Sequence, residues 1–103
     1  MPPPVSKAQA REAFRGARLE PAGIFIETKH FKERLTEGRF DVNDLKTLAR
    51  TGAVLNPPEW DVKHGEWVWR IEGRAQDGRT AYVVFGVLGP HQVKAITIET
   101  PGR

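Results

Sequence analysis

Between Ser6 and Leu19 the apolar residues Ala10, Ala13, Phe14 and Ala17 recur at steps of three and four, and the positions between them are mostly charged or polar. That spacing predicts an amphipathic helix, with Ser6 placed as its N-cap and Pro21 just beyond its end. The stripe consists mainly of small side chains, so the expected helix docks weakly. Pro2, Pro3 and Pro4 precede it and cannot be helical, which predicts a mobile tail there. Residues 1–22 thus read as a tail and accessory helix, and 23–103 as a single domain.

Gly23 to Glu27 is a short β-favouring run, followed by Thr28 in an N-cap position. Lys29 to Glu37 then predicts a helix with Phe31 and Leu35 one turn apart and Gly38 as its C′ stop. A second helix is predicted over Val42–Arg50, capped by Asp41 with Asp44 three residues on, and ended by Gly52. The connection between these helices is short, so they form a hairpin.

After Gly52 the period changes. Ala53 to Leu55 predicts a short edge strand closed by Asn56, Pro57 and Pro58. Glu66 to Glu72 alternates as a half-buried strand, Thr80 to Val87 is apolar on both faces, and Val93 to Thr100 supplies a further strand. Asp77-Gly78 has the signature of a two-residue type I′ turn, and Gly89-Pro90 marks the next one. The expected fold is α+β: an N-terminal helix, a short strand, and a two-helix hairpin packed on an antiparallel β-meander of three to four strands.

Those two turns set an expected register, with Glu72 opposite Val83, Arg70 opposite Phe85 and Phe85 opposite Lys94. One face then carries Arg70, Glu72, Arg74, Val83, Phe85, Lys94, Ile96 and Ile98. The other carries Trp67, Trp69, Ile71, Tyr82, Val84, Leu88, Val93, Ala95 and Thr97. Only the second face lacks cations near its middle, so the helices are expected over the tryptophan face. The arginine face is left open.

Composition narrows this picture. The 103 residues fit one domain, and 39% apolar with 28% charged residues argues against both a membrane span and wholesale disorder. The chain contains no cysteine, which excludes a disulfide framework, a cysteine zinc site and a thiol nucleophile. The opening MPPPVSKAQA lacks the apolar stretch of a signal peptide, so a cytoplasmic location is expected. The formal net charge of +3 is compatible with a nucleic-acid partner without requiring one.

Candidate chemistry is sparse. His30 and Arg34 stand one helical turn apart, so a group that titrates near neutral pH lies beside a fork able to hold a phosphate. Polar neighbours at this spacing are also common on exposed helix faces, and spacing alone favours an ordinary charged stripe that includes Glu37. Arg70 and Glu72 read as solvent-facing alternation and the three tryptophans as core. His30, His64 and His91 show no ligand spacing, so neither a metal nor another cofactor is expected. Ser6, the only serine, lies outside the expected domain, which argues against a serine triad.

Thr28-x-His30-Phe31-x-x-Arg34, then Gly38-Arg39-Phe40-x-x-x-Asp44, a helix ending at Gly52 and strands ending in Ile96-Thr97 make up a pattern that resembles a small bacterial family. This is the family labelled domain of unknown function 4258, whose members open on a strand and a His-x-x-x-Arg helix and close on a threonine in the last strand. The likeness runs from about Ile24 to Thr100. The order of elements is also similar to that of RelE- and BrnT-type toxin ribonucleases, by analogy of topology. The resemblance implies a RelE-like protein directed at RNA, which either cuts it without a metal or binds without cutting. In the catalytic version Arg34 and Arg70 hold the phosphate and His30 serves as general acid or base, while Arg74, Lys94 and Thr97 contact substrate. The alternative is a protein-interaction module, such as an antitoxin-type partner, with no chemistry of its own.

Overall fold

The computed structural model describes residues 2–101. Eight elements follow in order: α1 (Lys7–Leu19), β1 (Ile24–Glu27), α2 (Lys29–Glu37), α3 (Val42–Thr51), β2 (Glu59–Asp61), β3 (Glu66–Arg74), β4 (Thr80–Gly89) and β5 (Gln92–Glu99). The α+β class and the sequence of helices and strands are as expected. The sheet, however, has five strands in the order β1-β5-β4-β3-β2, and β1 runs parallel to β5 rather than outside the sheet. Among the described residues no helix is long and apolar enough to cross a membrane.

The helix starts are built as their sequences direct. Ser6 Oγ accepts from the Gln9 N–H while Gln9 Oε1 accepts from the Ser6 N–H, and Asp41 with Asp44 forms the same reciprocal box at α3. Thr28 Oγ1 accepts from the Phe31 N–H at the start of α2. The end of α2 differs from expectation, because the left-handed residue is Arg39 (φ 56°) and not Gly38. The Phe40 N–H reaches the Leu35 carbonyl and the Arg39 N–H reaches that of Thr36, which is a Schellman closure with Arg39 at C′. Gly38 is needed for space, since a Cβ there would stand 2.6 Å from the Phe40 ring.

Expected weak docking of α1 is also corrected. Ala10, Ala13, Phe14 and Ala17 are all buried in the common core with Phe31, Leu45, Leu48, Ile71 and Phe85. The small residues let α1 approach closely, and Phe14 projects inward to meet Phe25 edge-on at 5.5 Å and Phe85 at 5.0 Å.

The first hairpin departs from the expected register by one residue, and the second by one over Phe85–Val87 and by two at its turn and beyond Phe85 toward Val83. At the first, the Ala75 N–H reaches the Arg79 carbonyl and the Gly78 N–H reaches that of Ala75, so the loop is Gln76-Asp77-Gly78. Gly78 sits at φ 91°, the arrangement of a turn followed by a left-handed residue rather than a two-residue type I′ loop. Arg70 therefore faces Val84, Glu72 faces Tyr82 and Trp69 faces Phe85. At the second hairpin Gly89 pairs with Gln92, leaving Pro90-His91 as the loop, and irregularities between Val84 and Phe85 and between Val87 and Gly89 reset the pairing.

The consequence is a clean division of faces. Trp69, Ile71, Ala81, Val83, Phe85, Val93, Ala95 and Ile98 point inward and are buried under the helices. Val83, Phe85 and Ile98, expected beside Arg70, thus belong to the core, whereas Tyr82, Val84 and Thr97 belong to the outer face. The expected edge strand at Ala53–Leu55 is reduced to one bridge between Ala53 and Glu72, and the edge strand beside β3 is β2. Ala53 can reach β3 because Gly52 and Gly73 meet closely there: a Cβ on Gly73 would stand 3.1 Å from the Gly52 Cα.

Candidate functional site on the outer face of the sheet

The outer face is an array of charges set among apolar residues, each charge placed by strand alternation. On β3, Arg70 lays its guanidinium over the Tyr82 ring of β4, 3.7 Å from the centroid, and donates to Glu72 Oε1 at 3.1 Å. On β5, Lys94 reaches Glu66 Oε2 of β3 at 2.6 Å. These two span β4 because Gly86 lies between them: a Cβ there would stand 2.8 Å from Glu66 Oε1.

The third charged cluster involves α2. β1 pairs with β5 only from Gln92 to Ala95, and beyond that point Thr28 takes over the edge. Its N–H donates to the Ala95 carbonyl and its hydroxyl to that of Ile96, both at 3.2 Å. This seats α2 so that Arg34 donates to Glu99 Oε1 and to Glu37 Oε1, each at 2.8 Å. Thr97 Oγ1 donates to the other Glu99 oxygen at 3.3 Å. The attraction of Glu99, then its hydrogen bond, raises the Arg34 pKa above its ordinary value, so the guanidinium stays charged.

The structure therefore gathers some of the sequence-derived candidates and separates others. Arg34 and Thr97 meet through Glu99, and Glu99 is the ladder partner of Tyr82, which lies under Arg70. Lys94 belongs to a different cluster with Glu66. Arg74 donates to the Gly78 carbonyl at 2.9 Å and so ties down the hairpin turn. His30 is exposed, and among the described residues its ring makes no hydrogen bond or ion pair that would orient it. A general base is normally held by such a partner.

Sequence reasoning missed Tyr82, Glu99 and Glu66 as members of this face. The register slip had put Tyr82 under the helices, and searching for cations drew attention away from the carboxylates that answer them. Alternation of Glu66, Arg70 and Glu72 along one strand was the available signal. A cleft of about 260 Å³ opens beside the Arg70–Tyr82 stack, lined in part by Asn56, Pro57, Glu59 and Val68.

Asp61, His64 and Glu66 bring ligand-type atoms within 4.8 Å of one another at the β2–β3 turn, a grouping that histidine spacing alone could not show. Those atoms are engaged with protein: His64 Nδ1 lies 2.8 Å from Asp61 Oδ2, and Glu66 holds Lys94. The His64 contact lowers the Asp61 pKa below the ordinary carboxylate value.

The outer face also carries exposed apolar residues. Ile24 and Ile26, two residues apart on β1, are 44% and 45% exposed, whereas Leu88 on β4, 50% exposed, lines a cleft with Val5 and with Gln9 and Glu12 of α1. Comparison of the chain with protein-family models, with curated proteins and with solved structures gives no match in any of the three.

Proposed function

We propose that the protein is a non-catalytic protein-interaction module whose binding surface is the outer face of its sheet. One observation carries this reading: each of the three cations central to that face is closed by a carboxylate within 3.1 Å, Arg34 by Glu99, Arg70 by Glu72 and Lys94 by Glu66. A polyanion is attracted by unanswered positive charge, and here the positive groups carry their own counter-ions. A protein surface, by contrast, can cover Ile24 and Ile26 while the paired charges supply a polar rim.

The test uses purified protein as bait in extract of its own cells treated with ribonuclease, beside an Ile24→Lys/Ile26→Lys variant. The reading expects one stoichiometric protein on the wild type, lost from the variant, that binds again when both are purified. Equal retention by the two baits, or no protein on either, contradicts it.

The second reading, a toxin-like RNA-binding domain, is favoured by the Arg70–Tyr82 stack at 3.7 Å beside an open cleft. A flat guanidinium on an aromatic ring is a surface on which an unpaired base can stack. In that reading Arg34, Arg70 and Lys94 must exchange their carboxylates for phosphates. Ribonuclease action needs, in addition, a partner that orients His30. RNA retained by the untreated bait, and released as salt is raised, would support this reading over the first.

A further inference from the structure

A second recognition surface lies on the helix side of the sheet, at the corner made by β2 and β3, away from the outer face. Trp60 and Trp67 are ladder partners there, and their rings meet edge to face, 5.2 Å apart at 72°. Pro2, Pro3 and Pro4, exposed ahead of α1, line one cleft with them. Trp67 Nε1 donates to the Pro2 carbonyl at 2.6 Å. A cleft of about 260 Å³ remains open along this contact, between Pro3, Pro4 and Val5 on one side and Trp60, Trp67 and Val87 on the other.

Every part of this contact follows from the chemistry of proline. The ring fixes φ, and a following proline drives the residue before it toward the extended region, so consecutive prolines favour the polyproline II helix. That helix makes no internal hydrogen bonds and leaves its carbonyls free to accept from an indole N–H. Its flat rings pack on aromatic faces, and little conformational freedom is lost on docking because the segment is already stiff. An indole needs a partner for its one donor when its ring is covered, and the proline carbonyl provides it. Two tryptophans, one indole donor and a proline run that accepts from it across a shared cleft are the components by which proline-rich segments are recognised.

We propose that the Trp60–Trp67 corner is a receptor for proline-rich segments in the polyproline II conformation, occupied in cis by Pro2–Pro4, and that a proline-rich partner binds by displacing them. Displacement requires only that the chain ahead of Ser6 swing away, since α1 begins with its own capping box and is anchored by Phe14. The tether holds the cis segment near the groove at a high effective concentration, so an outside peptide sees only the open fraction. This inference uses a surface separate from the outer sheet face, and either can fail without the other.

The experiment titrates an eight-residue all-proline peptide into the intact 103-residue chain, reading tryptophan fluorescence and the indole N–H signals by nuclear magnetic resonance. Wild type is compared with a Pro2→Ser/Pro3→Gly/Pro4→Ser variant, and a glycine-serine peptide of equal length is the control. The variant is expected to bind the proline peptide about tenfold more tightly than wild type, as removal of a cis ligand occupying roughly nine-tenths of the molecules requires. The Trp67 indole signal should move on peptide addition, and Trp67→Phe in the variant background should abolish binding. Three results would overturn the proposal: equal affinities for wild type and variant, equal binding of the control peptide, or a Trp67 signal that does not move. The last is read on protein with both tryptophans intact, so a folding defect in Trp67→Phe leaves the proposal exposed to refutation.

Discussion

At the scale of single residues, the meaning of a side chain is decided by what its neighbour's atoms can do. Gly52 and Gly86 illustrate this. A Cβ on Gly52 would stand 2.6 Å from the Leu48 carbonyl and 3.0 Å from Ile71, both fixed in the core, whereas one on Gly86 would be crowded by the end of the Glu66 side chain alone, with the Trp67 carbonyl at an ordinary 3.7 Å. Gly52→Ala is therefore expected to cost about 1–3 kcal/mol in urea unfolding. Gly86→Ala should change stability by less than about 1 kcal/mol, since Glu66 can swing aside and the alanine stiffens the unfolded chain. Equal losses at both sites would contradict this assignment.

Asp77 supplies a pH-dependent case. The Arg79 N–H donates to Asp77 Oδ1 at 3.1 Å and its side chain to Oδ2 at 2.7 Å, and the backbone bond is the largest cause holding this carboxyl below its ordinary value of 3.8. Because the folded pKa is the lower one, the stabilisation is present above 3.8 and is lost as pH falls through the folded value. Wild type is expected to unfold at higher urea than Asp77→Asn at pH 6, with the gap closing below pH 3.8. A gap that does not narrow at all as pH falls below 3.8 would show that the charge is not its source. Arg79 has a second role that the sequence did not reveal: it donates to the carbonyls of Gly38 and Arg39 and lies over the Phe40 ring, pinning the α2–α3 connection.

At the scale of elements, caps and periodicity were legible, while pairing was not. Ser6, Thr28 and Asp41 each cap the helix predicted for them, because a cap is a local bond between residues three apart. Register depends on the conformation of one turn residue, and Asp77-Gly78 serves a three-residue loop as readily as a two-residue one. That single step moved Tyr82 and Val83 to opposite faces from those expected. The parallel pairing of β1 with β5 was equally hidden, since most of the chain lies between the two strands. Mean side-chain size along α1 also misled, because the small residues set the closeness of approach and Phe14 supplies the anchor. Phe14→Ala should accordingly cost about 3–5 kcal/mol in urea unfolding, as for a large aromatic lost from a packed core. A cost under about 1 kcal/mol would restore α1 to the status of a detachable accessory.

For the whole molecule, alternation along three long strands separates two surfaces with different tasks. The inner surface joins all three helices to the sheet in one core, and the outer one is left to solvent with Arg34, Arg70 and Lys94 each answered by a carboxylate. The cations of the candidate site were legible as residues. Their carboxylate partners became visible only with the register, and those partners turn the face from an electropositive patch into a balanced one. The most direct test of that balance is the affinity of the purified protein for mixed single-stranded RNA, measured by fluorescence polarisation from about 50 to 200 mM salt. Internally paired charges predict weak binding whose logarithm falls with the logarithm of salt at a slope no steeper than about −1, unchanged by Arg70→Ala. Tight binding with a slope of about −3 or steeper, lost on Arg70→Ala, would mean that phosphates displace the carboxylates and would contradict the account.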